Sequence, residues 1–204
     1  MKKRHTGQSG ARSVTSRLIL ASASPRRREL LGKLGVPFEI IVSGLEEAPW
    51  PGEKPASYSI RNAGDKAREV LSRLDGDATI IAADTIVVLG ERILEKPRDA
   101  EDAMAMLRSL SDAEHEVITG LCVLSRRGED LRFQADAVRT AVRFRKISDA
   151  EISDYVATGE PMDKAGAYAI QGGAAKFVAE TRGSYSNVVG LPVDELNRML
   201  SALG

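Results

Sequence analysis

At 204 residues, 43% of them hydrophobic and 28% charged, the chain suits one large domain, or one domain with two lobes around a cleft. Its 29 basic residues balance 29 acidic ones, which excludes the basic excess of a protein that wraps nucleic acid. Any positive charge must therefore be local, as a small phosphate pocket requires, and with only 4% aromatics the core rests on Leu, Ile, Val and Ala.

The elements follow in chain order. Residues 1–17 are polar and basic, and Leu-Ile-Leu-Ala-Ser-Ala-Ser after them superficially resembles a secretory signal. The apolar run 18–21 is far too short for one, and Pro-Arg-Arg-Arg follows at once. We expect a flexible tail over 1–17, one domain over 18–204, a strand at 18–21, no membrane span and a cytoplasmic location. Ser24-Pro25 reads as an N-cap with proline at the first helical position, opening a helix through Leu30, Leu31 and Leu34 that stops at Gly35. Residues 38–42 read as a strand, 46–53 as an acidic, Pro-rich loop, and 56–74 as a helix weakened by Gly64. Residues 79–89 form a strand pattern interrupted by Asp84 and Thr85. A turn at Gly90-Glu91 folds it back toward Lys96-Pro97. Asp99 caps a helix with Ala103, Met106, Leu107 and Leu110 on its apolar face. Residues 117–124 and 133–144 read as antiparallel strands around Arg127-Gly128, the second burying Val138, Thr140, Val142 and Phe144. Ser148-x-x-Glu151 is a capping box for a short helix ending at Gly159. Residues 167–170 and 177–180 read as short strands, and Pro192 opens the last helix. Hairpins mixed with helical crossovers favour an α/β fold with a mixed sheet.

Chemistry concentrates in a few places. Ser22-Ala23-Ser24-Pro25-Arg26-Arg27 delivers a strand to a helix N-terminus, bringing hydroxyls and guanidiniums to a point that favours anions; a capped helix with solvent-facing arginines would read the same way. Asp84 lies inside an apolar strand run, where a carboxylate costs several kcal/mol unless paired or metal-bound; it marks either a site or a satisfied structural ion pair. Lys96 returns on the hairpin toward the same place. Glu46-Glu47 and Lys66 give weaker signals, which a solvated loop and a helix surface would also give. Residues 159–173 are dense in glycine, with Lys164 suited to a phosphate and Gln171 offering donor and acceptor to a base edge, although a plain loop looks similar. Residues 183–192 present another helix N-terminus or a tight connection. Cys122, the sole cysteine, cannot form an internal disulfide, no Cys/His cluster suggests zinc, and packing is its expected role. His115 reads as structural. Oxyanion-binding cations beside two acidic positions are the parts of metal-assisted attack by water on phosphorus.

Taken in order, Ser22 to Leu31, Ala83-Asp84-Thr85-Ile86-Val87, Glu95-Lys96-Pro97, 159–172 and 183–192 resemble the motifs of the Maf-like nucleotide pyrophosphatases, and the match runs from about Leu18 to the C-terminus. The resemblance implies an elongated α/β, Maf/ITPase-like fold, with a central mixed sheet, flanking helices and a cleft between two lobes. It implies Asp84 as the catalytic acid-base residue and, with Glu47, a ligand of a divalent cation, Mg²⁺ or Mn²⁺. It places Ser22, Arg26, Arg27, Lys66, Lys96 and Lys164 around a nucleoside triphosphate. Arg26, Thr85 and Gln171 match the dTTP/UTP branch, where the 7-methyl-GTP branch tends to carry Trp, Gln and Glu. Ala63-Gly64-Asp65-Lys66 departs from the more usual Leu-Ala-Arg-Glu-Lys, which makes Lys66 the weakest transfer. The implied reaction is hydrolysis of dTTP and UTP to monophosphate and pyrophosphate. The alternatives are a regulatory protein inhibiting septum formation, or a pyrophosphatase for modified nucleotides. No nucleic-acid or membrane partner is expected; a homodimer is left open.

Overall fold

A computed structural model describes residues 16–203, so all of the expected tail except its last two residues lies outside the described residues. Arg17 already belongs to β1 (Arg17–Leu20), which runs parallel to both β2 (Glu39–Ile40) and β3 (Ala78–Leu89). Parallel neighbours need a crossover. Here α1 (Pro25–Gly32) connects β1 to β2, and α2 (Pro55–Ser72) lies between β2 and β3. The rest of the sheet is antiparallel. β3 turns back into β4 (Arg92–Leu94) and, beyond α3 (Ala100–Leu110), pairs with β5 (Glu114–Arg127). β5 pairs with β6 (Asp130–Phe144), and β6, beyond α4 (Asp149–Ala157), with β7 (Val178–Arg182). Helices α5 (Tyr185–Val189) and α6 (Val193–Ser201) end the chain. The strand order is β2-β1-β3-β5-β6-β7 with β4 on β3, the mixed sheet that the alternating hairpins and crossovers indicated.

Period-two alternation sorts the strand residues between two apolar layers. Ile19, Ile80, Ala82 and Cys122 pack against Ala63, Ala67 and Val70 of α2. Leu20, Ile81, Ala83 and Leu121 join the larger core under α3, α4 and α6, with Leu107, Ile152 and Leu196. Cys122 is fully buried, in the packing role expected of it. Local capping holds as read. Ser24 Oγ accepts from Arg27 N, Asp99 from Asp102 N, and Ser148 and Glu151 form the reciprocal box. No helix among the described residues is long and apolar enough to cross a membrane.

Three local expectations need correction. The first helix ends at Gly32, because Leu34 and Gly35 close tighter turns onto Leu31 and Gly32. The strand expected at 38–42 shrinks to Glu39–Ile40, since β1 offers it only two paired positions. Residues 167–170 form no strand. Gly166 and Ala167 have φ of +67° and +58°, and Gly166 N donates to Glu95 O at 3.1 Å, which pins a 3-10 turn over Ala165–Ala167 instead. The strand read at 79–89 is borne out: β3 runs unbroken over Ala78–Leu89, and β5 pairs with it continuously through Asp84 and Thr85.

Candidate active site

The two edges of β3 are paired differently. β1 pairs with one edge at 78–81 and β4 at 87–89, while β5 occupies the opposite edge throughout. Residues 82–86 are therefore left without a strand on the β1 side. A cleft of about 430 Å³ opens there, and all ten expected side chains line it: Ser22, Arg26, Arg27, Glu47, Lys66, Asp84, Thr85, Lys96, Lys164 and Gln171. Five cations and three carboxylates face this space, so a neutral chain concentrates positive charge where a polyanion would fit.

Asp84 follows Ile80 and Ala82 on the face of β3 turned toward α2. Asn62 and Lys66, four residues apart, share one face of that helix and reach one carboxylate oxygen each. Lys66 Nζ lies 2.9 Å from Oδ1, and Asn62 Nδ2 donates to Oδ2 at 3.0 Å. Lys66 also meets Glu47 Oε1 at 2.6 Å. Gly120 makes this approach possible. It faces Asp84 in register on β5, and a Cβ there would lie 2.2 Å from the backbone of Ser59 on α2. Asp84 is 5% exposed, and burial pushes its carboxyl up. The charge of Lys66 and hydrogen bonds from Glu47, Lys66 and Asn62 outweigh that effect and hold it below its ordinary value. Burial and the neighbouring Asp84 carboxylate push Glu47 the other way, upward. The two carboxyls titrate as a pair, with Asp84 the one whose charged form its donors favour.

The opposite wall begins at the N-terminus of α1. Ser22 Oγ accepts from Ser24 N at 3.2 Å, while Arg26 and Lys96 line the cleft with no ion pair among the described residues. Arg27 is held differently. Its guanidinium donates to Ala83 O at 2.7 Å, Gly190 O at 2.8 Å, Thr85 Oγ1 at 3.1 Å and Ser22 Oγ at 3.2 Å. It thereby satisfies a carbonyl exposed by the gap in the sheet and ties β3 to the loop after α5. Thr85 Oγ1 also contacts Thr119 Oγ1 at 2.9 Å, and Thr119 donates to Asn187 O at 3.2 Å. The 183–192 segment is therefore a buttress, with its five-residue helix held by buried Asn187. Lys164 pairs with Asp163, and Gln171 is exposed at the cleft wall. Behind the wall, His115 Nε2 meets the hydroxyl of Tyr168 at 2.8 Å, and burial drives its pKa down to about 4.

Asn62 and Gly120 escaped the sequence reading. The four-residue spacing of Asn62 and Lys66, and a glycine inside an apolar strand, were the signals that could have found them.

Fold and cleft together define a mixed α/β protein with a cationic pocket set over two carboxylates in contact. The chain belongs to the Maf-like protein family, whose sequence pattern matches residues 17–203. It is 53% identical over 192 residues to the dTTP/UTP pyrophosphatase of Anaeromyxobacter dehalogenans (strain 2CP-C), covering 94% of this chain and 96% of that one. It is 52% identical over 188 residues to the dTTP/UTP pyrophosphatase of Geobacter sulfurreducens, covering 92% and 97%. Among solved structures, a nucleoside-triphosphatase / dITP/XTP pyrophosphatase from Mycobacterium abscessus aligns over 92% of this chain and 97% of its own. At 16% identity and a TM-score of 0.45 it is too remote to bear on fold or site.

Proposed function

We propose that the chain is a cytoplasmic nucleoside triphosphate pyrophosphatase that hydrolyses dTTP and UTP to the monophosphate and pyrophosphate. The observation that carries this reading is the buried Asp84 carboxylate, ionised by Lys66 and Asn62, at the floor of a cleft lined with cations. The activity of relatives about 50% identical over nearly the whole chain, named as dTTP/UTP pyrophosphatases, supports it. Water attacks the α-phosphorus, the bond to the bridging oxygen breaks, and pyrophosphate leaves with the electron pair. Asp84 orients the water by accepting its hydrogen bond and takes up the proton released as the new P–O bond forms. Arg26, Lys96 and Lys164 hold the phosphates and stabilise the charge gathering on the leaving group. Arg27 acts on the phosphates at closer range through its remaining N–H, and Ser22 fixes it from below.

Glu47 and Asp84 fit a hard divalent cation, because both offer only oxygen and lie in contact. No group of three His, Cys, Asp or Glu side chains able to hold a metal occurs among the described residues, so substrate oxygens and water would complete the shell. Mg²⁺ or Mn²⁺, when bound, supplies polarisation of the phosphoryl oxygen and neutralises developing charge. Gln171 presents its carboxamide to O4 and N3–H of uracil or thymine, and Thr85 with Arg26 shapes the neighbouring wall. The test is pyrophosphate release from a nucleotide panel, with chelation and with each metal restored. We expect dTTP and UTP to be cleaved well, CTP poorly, and nothing after chelation. Full activity without metal, or equal efficiency on CTP, would overturn the scheme.

A further inference from the structure

Gln171 stands in a tight turn over residues 169–172, closed by Gly172 N–H donating to Ala169 O at 3.0 Å. The backbone N–H groups at the two ends of that turn are tied to one carboxylate, that of Gly173 directly and that of Ala169 through the hydroxyl of Tyr155. Glu160, in the 3-10 turn Glu160–Asp163 after α4, accepts the N–H of Gly173 on both oxygens, at 3.2 and 3.1 Å. Its Oε1 also accepts from the hydroxyl of Tyr155 at 2.9 Å. The same hydroxyl accepts the N–H of Ala169 at 3.2 Å. Ala169 is the first residue of the turn and Gly173 follows its last, so Glu160 and Tyr155 grip both ends of the segment bearing Gln171.

The grip is built tightly and from the core outward. A Cβ at Gly172 would lie 1.9 Å from Glu160 Oε1, so only glycine lets the backbone close onto the carboxylate. Tyr155 is 2% exposed, its ring edge-on to Phe177 at 5.5 Å between centroids. Its hydroxyl is thus fixed by α4, which makes the helix the reference for the turn's position. Neither side chain touches Asp84, Lys66 or Glu47. Glu160 meets Lys164 only through its main-chain oxygen, 3.4 Å from Nζ, and a side-chain substitution leaves that contact available.

We infer that Tyr155 and Glu160 are positioning residues for base choice, holding the 169–172 turn so that the carboxamide of Gln171 meets the base in one fixed place. A carboxamide is its own mirror in shape, with donor and acceptor exchanged by a half-turn. It discriminates uracil from cytosine only where its backbone is immobile enough for neighbours to favour one orientation. The inference rests on the pyrophosphatase reading of the same cleft.

The experiment compares wild type, Tyr155→Phe, Glu160→Gln and, as reference for lost base readout, Gln171→Glu. Catalytic efficiency is measured on UTP, dTTP and CTP, together with inhibition by inorganic tripolyphosphate, which has no base. Tyr155→Phe keeps the ring and removes only the hydroxyl. It is expected to lower the preference for UTP over CTP by about tenfold, the scale of one mispaired polar group. Inhibition by tripolyphosphate should stay as in wild type. Glu160→Gln retains one oxygen for the two donors and should fall between wild type and Tyr155→Phe. An unchanged preference in Tyr155→Phe overturns the inference. So does a uniform loss on all three nucleotides with weaker tripolyphosphate inhibition, the signature of general loosening. Failure of the wild type to cleave any nucleotide would instead overturn the pyrophosphatase reading itself.

Discussion

Replacing Lys66 by Met keeps the aliphatic stem and removes one buried charge. In the wild type its ammonium lies 2.6 Å from Glu47 and 2.9 Å from Asp84, and both Lys66 and Asp84 are under a tenth exposed. The variant would leave two carboxylates in contact with no cation. Taking one partner from a buried ion pair costs about 3–5 kcal/mol. Coulomb attraction at about 4 Å and an effective dielectric near 20 gives a similar figure, about 4 kcal/mol. Protonation relieves part of this, by about 1.4 kcal/mol for each unit a carboxyl rises above the ambient pH. The sign then decides the test. In the wild type Asp84 is held below its unfolded value, so its stabilisation is present above that value and lost as pH falls through the folded one. Without Lys66 the carboxyl rises above its unfolded value, and stability is lost as pH increases through it. Urea unfolding should therefore show a loss of about 3 kcal/mol near pH 8 and a loss smaller by about 1 kcal/mol or more near pH 5. Added Mg²⁺ should restore part of the loss at the higher pH. A deficit under about 1 kcal/mol, or one equal at both pH values, would refute the view that Lys66 keeps Asp84 ionised.

Three further outcomes are expected. Asp84→Asn should nearly abolish turnover with little change in thermal unfolding, because Lys66 keeps Glu47 as its carboxylate partner and Asn62 can rotate its amide to accept where it now donates; activity within a few-fold of wild type would remove Asp84 from the reaction. Gly120→Ala should cost about 1–3 kcal/mol and most of the activity, since a Cβ 2.2 Å from Ser59 must push α2 and its Lys66 away from β3; normal stability would show that α2 is not held by this contact. His115, with a pKa near 4 against an ordinary 6.5, lets the unfolded chain bind the extra proton between those values, so stability should rise with pH across that window by up to about 3 kcal/mol. His115→Leu should flatten that rise, and urea midpoints at several pH values would show whether it does.

Legibility in the sequence followed the range of the interactions involved. Caps at Ser24, Asp99 and Ser148 close within three residues, so their side chains announced the helices directly. The two long strands β5 and β6 were likewise visible from alternation around Arg127-Gly128. Ala-Tyr-Ala-Ile at 167–170 has the composition of a strand, but its backbone is fixed by Gly166 bonding to Glu95, some 70 residues earlier in the chain, and nothing local reports that bond. Asp84 stood out because a carboxylate in an apolar run requires a partner. The identity of its partners did not, because that needed the phase of α2, the register of β3 on β5, and the missing side chain at Gly120. The gap at 82–86 is purely a matter of register: it depends on where β1 stops and β4 begins along an unbroken β3.

Arg27 shows what a motif leaves undecided. Arg26 and Arg27 are adjacent and chemically identical, and a strand running into a helix N-terminus suits either of them to a phosphate. The gap in the sheet separates their roles. Residues 82–86 lack a strand on one side, so the carbonyl of Ala83 needs a donor, and Arg27 supplies it while also bonding to Ser22, Thr85 and Gly190. Lys66 and Lys164 already face Asp84, Glu47 and Asp163. Of the five cations lining the cleft, Arg26 and Lys96 are then the two with neither an ion pair nor a protein acceptor for their charged groups among the described residues. An entering polyphosphate meets its least compensated charges there, on opposite sides of the gap, and draws on Lys66 and Lys164 only by loosening carboxylates that already hold them.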